Sequence, residues 1–264
     1  MISALYDNTF EGFLTGIFEY YERRWSRVRL VPTHRHQPDV FSSVYRIQTD
    51  DAKAARVWEG LKKRLSPEAQ QHFYYSFLSE KPEREAQLLD YAQRTFADMG
   101  WVEEQYGAVS VLWVARTGHR VWIEQHRMEA FVRFEKTDEG LFYAHIEPDF
   151  NVLPIIAPHF VERYADQEWL IYDGRRRYGL HFDRQELQRI EFELEEGESR
   201  RLSYEAQEPV YQHLWKTYFE SVNIPARRNL KLHRRMVPQR YWRFLTEKQP
   251  ELSRPRAIPT ALKG

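Results

Sequence analysis

From Ser221 to Thr246 the chain carries no Asp or Glu, while Arg227, Arg228, Lys231, Arg234, Arg235, Arg240, Arg243 and His233 fall inside that window. The protein as a whole balances 39 Lys and Arg against 39 Asp and Glu, so the clustering is local. Aromatic residues lie before and within it: Trp215, Tyr218 and Phe219, then Tyr241, Trp242 and Phe244. Guanidinium and ammonium groups neutralise phosphates, and flat rings stack on bases or anchor a partner. The candidate nucleic-acid contacts are therefore Lys216, Asn223, Arg227, Arg228, Asn229, Lys231, His233, Arg234, Arg235, Arg240 and Trp242. The Arg and Lys residues suit backbone phosphates, and Asn223 or Asn229 suits a base edge. The competing reading is intramolecular. Glu191, Glu193, Glu195, Glu196 and Glu198 come shortly before the window, and Trp215, Tyr218 and Trp242 suit a core equally well.

Two smaller constellations can also do chemistry. His126, Arg127 and Arg133, with Arg163 further on, can bind an anion such as phosphate or carboxylate, because Arg offers a planar fork of donors. The alternative is a structural pair, with the His or an Arg closing a helix C-terminus against its free carbonyls. Glu147, Asp149 and Asn151 alternate after an extended run, and His159 and Arg163 follow. A carboxylate near a histidine serves acid–base chemistry, which makes Asp149, His159 and His126 the catalytic candidates. Turn formation at Pro148-Asp149, with Asn151 capping the next helix, is the structural alternative. Glu124-x-His126 and His34-x-His36 have ligand-like spacing without a third partner, so no metal site is assigned and no cofactor is expected. Nucleophile-elbow and phosphate-loop signatures are absent from the sequence.

The elements that must position these residues can be read from periodicity. Ile2 to Tyr6 is a short apolar run. Phe10, Phe13, Leu14, Ile17, Phe18 and Tyr21 then recur at helical spacing after Asp7 or Thr9 as a cap. Val28 to Val31 and Val44 to Ile47 read as extended. Asp50 or Asp51 can cap a helix along Ala54, Val57, Trp58, Leu61 and Leu65, and Ser66-Pro67 restarts another. Pro82 opens a third that ends near Gly100. Val111, Val114, Ala115, Gly118, Val121, Trp122 and Gln125 make a fourth. Alternation from Phe131 to Lys136, a turn at 137–140 and Leu141 to Ile146 signal a hairpin. A helix through Phe160 and Tyr164 follows. A second hairpin runs from Trp169 to Phe182 about Asp173-Gly174. Ile190, Phe192 and Leu194 alternate like a strand, and Glu208 to Phe219 reads as a helix. The expected class is α+β: a helix-rich N-terminal half, a central antiparallel sheet of hairpins and C-terminal helices. Residues 1–250 are expected to form one domain, with a helical part at 50–125, a sheet at 130–195 and a basic end at 208–246. Residues 251–264 are expected to be a loose tail.

At 264 residues the chain can bury a real core, and its 16 Phe, 16 Tyr and 8 Trp supply one. It has no cysteine, which excludes disulfides, cysteine nucleophiles and Cys-ligated zinc or iron–sulfur sites in this chain. The N-terminus lacks the pattern of a signal peptide, and no stretch approaches the roughly 20 apolar residues of a membrane span. A soluble cytoplasmic protein with no membrane association is expected.

Longer strings carry a resemblance over nearly the whole chain. They are Tyr6-Asp7-Asn8-Thr9-Phe10-Glu11-Gly12-Phe13, the run from His126 to Phe134, the run from Tyr143 to Pro154, Ala157-Pro158-His159-Phe160, Arg163 to Gln167 and Trp169 to Asp173. Leu214 to Phe219, Ser221 to Ile224 and Val237 to Trp242 add to them. In these the chain resembles a family described as probable DNA metabolism proteins. That resemblance implies kinship with a domain fused elsewhere to a uracil-DNA-glycosylase-like module. It also implies work alongside a radical SAM protein of DNA modification or repair. The radical SAM cluster would belong to the partner, since this chain has no cysteine. The expected function is an accessory DNA-binding role in repair or modification. A stand-alone lyase or hydrolase on damaged DNA and a protein-only adaptor are the alternatives.

Overall fold

The computed structural model describes residues 1–38, 43–97, 102–138, 140–191 and 235–248. The expected helix at 208–219, the strand residues beyond 191, the cap at Gly100 and the tail at 251–264 lie outside these. So do Lys216, Asn223, Arg227, Arg228, Asn229, Lys231, His233 and Arg234. The chain divides into two compact units, Met1–Glu124 and Gln125–Gly264.

The first unit begins with β1 (Ile2–Tyr6), α1 (Phe10–Glu22), β2 (Val28–Pro32) and β3 (Ser43–Arg46). The three strands form a parallel sheet in the order β2-β1-β3. The sequence shows each as an extended run, but their pairing is set by the return path of the chain. α2 (Asp51–Lys62), α3 (Pro67–Leu78) and α4 (Arg84–Ala97) follow. The caps are local chemistry. Thr9 accepts from Gly12 N–H at 2.9 Å, Asp50 from Lys53 N–H at 3.0 Å and Ser66 from Ala69 N–H at 3.2 Å. Phe10 gathers Trp58, Tyr74 and Phe77 within 5.4 Å between ring centroids. Beside these rings lies a buried polar knot. Arg84 is 1 % exposed. It donates to Glu85 Oε1 (2.7 Å), to the Phe77 carbonyl (2.9 Å), to the Tyr6 hydroxyl (2.9 Å) and to Asn8 Oδ1. Tyr6 in turn donates to Glu85 Oε1 at 2.8 Å. A buried guanidinium is tolerated because each of its three nitrogens finds an acceptor here. Burial pushes the Tyr6 phenol well above its ordinary range.

α5 (Val109–Phe131) is longer than the 111–125 span read from the sequence. The expected strand from Phe131 shrinks to β4 (Glu135–Lys136). Helical spacing outcompetes the apparent alternation: Val132, 8 % exposed, sits one turn beyond Met128 and donates its N–H to the Met128 carbonyl at 3.0 Å.

In the second unit β5 (Phe142–Ile146), α6 (Leu153–Arg163), β6 (Trp169–Asp173), β7 (Tyr178–Phe182) and β8 (Leu187–Glu191) complete a sheet in the order β4-β5-β6-β7-β8. β4–β5, β6–β7 and β7–β8 are antiparallel, as hairpins require. β5 and β6 are parallel, so the sheet is mixed and not the antiparallel one expected. The physical reason is α6: a helix between two strands returns the chain to the end where it began. β6 is buried along its length. Trp169 on one face meets Phe134, Phe160 and Phe182, and Leu170 and Tyr172 on the other join Tyr143. The α+β class holds.

Gly118 reports how tightly α3 and α5 pack. A Cβ there would lie 2.6 Å from the His72 Cα, a backbone atom that cannot move alone. Gly→Ala in a helix ordinarily stabilises by about 1 kcal/mol. Gly118→Ala is expected to do the reverse, lowering the urea midpoint by an amount worth about 1–3 kcal/mol as overpacking forces the helices apart.

Candidate functional site

Because β5 and β6 run parallel, their carboxyl ends lie together, with His145 opposite Tyr172 and Ile146 opposite Asp173. The segment Glu147-Pro148-Asp149 leaves one strand, and the turn Gly174-Arg175-Arg176-Arg177 leaves the other. Ligands commonly bind at such carboxyl ends, where loops diverge.

The inner layer is organised by Asp173, which is fully buried. Its Oδ1 accepts the N–H groups of Arg175 (2.9 Å) and Arg176 (3.2 Å), and its Oδ2 takes the Arg176 guanidinium at 2.8 Å. Arg176 also donates to the carbonyls of Pro148 and Asp149, both at 3.2 Å, and so fastens the two loops to one another. Burial lifts the Asp173 carboxyl above its ordinary range, and Arg176 and the turn amides oppose that lift. Arg177 adopts a left-handed backbone, φ 57°, to finish the turn.

The outer layer is ionic and more open. Asp149 accepts two arginines, Arg175 at 3.3 Å and Arg240 at 2.8 Å. Arg243 pairs with Glu147. Arg240 and Arg243 come from a 3-10 segment, Gln239–Phe244, whose Phe244 ring lies edge-on to His145 at 5.4 Å. That segment is tied down by Tyr241, 1 % exposed against Phe131, and by Arg133. Arg133 donates to Glu247 (3.0 and 3.4 Å) and to the carbonyls of Ala130 and Val132 at the end of α5. The exposed pairs are each worth about 0–1 kcal/mol, whereas breaking the Asp173–Arg176 pair from one side strands a buried charge. At this edge the four arginines 175, 176, 240 and 243 meet the carboxylates Glu147, Asp149 and Asp173.

His145 sits between the layers. Its Nε2 is buried without a hydrogen bond, and Glu147 Oε1 stands 3.8 Å away. A Cβ at position 174 would lie 2.2 Å from this ring's Nε2, so any larger residue there would push the ring aside. Burial lowers the His145 pKa; Glu147 opposes that effect and Arg243 reinforces it.

The sequence-derived candidates are distributed as follows. Asp149 lies in the arginine edge and binds Arg175 and Arg240. Arg240 is exposed there, Arg235 is exposed nearby in sequence, and Trp242 is half-buried with its indole N–H on the Val237 carbonyl at 3.1 Å. His126 is exposed on α5 and faces Glu129 at 3.2 Å, and Arg127 follows it, half-buried. Arg133 performs the helix-closing role and pairs with Glu247 as well. His159 packs edge-on to Phe160 at 5.1 Å, and Arg163 is exposed at the end of α6 beside Tyr164. Asn151 does not cap α6. It accepts from the Tyr178 hydroxyl, and Val152 holds the cap position. Glu124 is buried while His126 is exposed, because residues two apart on a helix face different ways. Among the described residues no group of three or more His, Cys, Asp or Glu is placed to hold a metal. Sequence reasoning missed the Arg175-Arg176-Arg177 run, which it treated only as a hairpin turn, and missed His145. Three successive arginines after Asp-Gly was the available signal.

Two outcomes test this layering. Asp173→Ala leaves Arg176 and two turn amides without their acceptor and is expected to cost about 3 kcal/mol in denaturant unfolding. For His145, the unfolded chain takes up a proton near the ordinary value of about 6.5. The folded chain takes it up at lower pH. The unfolded state therefore binds more protons as pH falls, and stability is lost below about pH 6.5. His145→Gln is expected to flatten the stability profile below about pH 6.5, read as urea midpoints.

A search of curated proteins finds no match to this chain. A family model described as a domain of unknown function, DUF4130, matches residues 82–247. That span is well over half of the 264 residues and contains the whole edge just described. The chain belongs to the DUF4130 family.

Proposed function

We propose that this chain is an accessory nucleic-acid-binding protein of DNA repair or modification, with the arginine edge of its second unit as a phosphate-contacting surface. The observation that supports this reading best is the gathering of Arg175 with Arg240 and Arg243, from a distant stretch of sequence, around Asp149 and Glu147 at one edge of the sheet. Guanidinium forks match phosphate oxygens in pairs and remain charged at any physiological pH. Arg235 and the basic residues from Arg227 to Arg234 extend the cationic stretch along the chain. In keeping with the resemblance to DNA metabolism proteins, a radical SAM protein is the proposed chemical partner. The absence of cysteine leaves iron–sulfur radical chemistry to that partner.

The test is a fluorescence-anisotropy titration of single- and double-stranded DNA at several salt concentrations. Each phosphate contact contributes about 0.9 to the slope of log affinity against log salt on duplex and about 0.7 on single strands. The triple variant Arg175→Gln, Arg240→Gln, Arg243→Gln should bind more weakly on every sequence and lose about 2–3 from that slope. No binding by the native chain at low salt, or an unchanged slope in the variant, defeats the proposal.

A further inference from the structure

Glu147 and Asp149 stand on one short segment, two residues apart, and each holds an exposed arginine of the Gln239–Phe244 segment. Glu147 pairs with Arg243, and Asp149 with Arg240 and Arg175. The cationic side chains of these pairs are 43–60 % exposed, so the guanidiniums are accessible from solvent as they stand. The backbone beneath does not depend on these pairs. The loops are joined by Arg176 through main-chain carbonyls, and the 3-10 segment is anchored by buried Tyr241 and by Arg133 on Glu247. The carboxylates can therefore let go of their arginines while the backbone that carries the arginines stays in position.

A carboxylate and a phosphate present the same thing to a guanidinium: two anionic oxygens in a plane that a fork of N–H donors can grip. We propose that Glu147 and Asp149 are internal stand-ins for two backbone phosphates. They hold Arg175, Arg240 and Arg243 in phosphate-binding order and give them up when nucleic acid arrives. The inference rests on the nucleic-acid reading above and adds to it the position of two phosphates and the groups that compete with them. No bond is made or broken; one set of ion pairs replaces another. The exchange raises the discrimination of the site, because a ligand with a single weak anion does not repay the release of two internal partners, whereas a polyphosphate backbone does.

The experiment compares three proteins in the same salt-dependent titration with one fluorescent oligonucleotide in single- and double-stranded form. The first is the native chain. The second is Glu147→Gln with Asp149→Asn, which keeps shape and hydrogen-bonding capacity but removes the competing charge. The third is Glu162→Gln with Asp166→Asn, which removes the same charge from exposed positions at and just beyond the end of α6. Thermal melts verify that all three are folded. If the carboxylates are placeholders, the second protein binds at least about threefold tighter than the native chain. Its salt slope stays close to the native one, because the same arginines meet phosphates in both, while the third protein keeps the native affinity. Equal or weaker binding by the second protein overturns the placeholder role and makes the carboxylates fixed positioners. An equal gain in the third protein reduces the effect to net charge and also overturns it. In either case binding by the native chain leaves the nucleic-acid reading standing. Absence of binding by all three at low salt removes that reading and this one together.

Discussion

The buried carboxylate of Asp173 governs the architecture of the second unit's edge. An ion with no exposure to water survives only if its oxygens are hydrogen-bonded, and here two turn amides serve one oxygen and a guanidinium the other. In satisfying Asp173, Arg176 is drawn inward and reaches the carbonyls of Pro148 and Asp149. The loop after β5 and the turn after β6 thereby become one surface. Arg175 and Arg177, on either side of Arg176, are left on the outside. One buried requirement thus divides three chemically identical neighbours into a fastener and two presented cations.

Two kinds of ion pair follow from this layering, and burial separates them. Arg176–Asp173 and Arg133–Glu247 are shielded and tied to main-chain carbonyls, so they fix where segments run. Arg240–Asp149, Arg175–Asp149 and Arg243–Glu147 stand in solvent, where water and salt weaken them. A rigid inner frame beneath a labile outer layer suits exchange of ionic partners, and it is on this contrast that the placeholder proposal rests. The first unit holds its own shielded charge, Arg84, within Glu85, Tyr6 and Asn8. There each guanidinium nitrogen is bound to an internal partner, which suits a structural knot.

Much of the framework was legible because local chemistry decided it. Thr9, Asp50 and Ser66 cap where their side chains permit, and apolar spacing marks α1 to α4. The hairpin about Asp173-Gly174 was legible from its turn residues. The end of α5 was misread because Phe131 to Lys136 satisfies an alternating and a helical pattern at once, and burial of Met128 and Val132 selects the helix. The basic character of the C-terminal segment was plain, yet the partners of Arg240 and Arg243 were not. Asp149 and Glu147 pair with them across about 90 residues of sequence, whereas residues 192–198 of the acidic run considered as their counterpart lie outside the described residues.

By itself the sequence determined which segments become helices and strands, where several helices begin, and which cations are present to meet an anion. These depend on interactions within a few residues. Tertiary structure decided that β5 and β6 run parallel, that Asp173 is buried, and that arginines about 65 residues apart converge on one carboxylate. Those outcomes depend on which surfaces the chain buries together, and no local pattern encodes the partner of a buried charge.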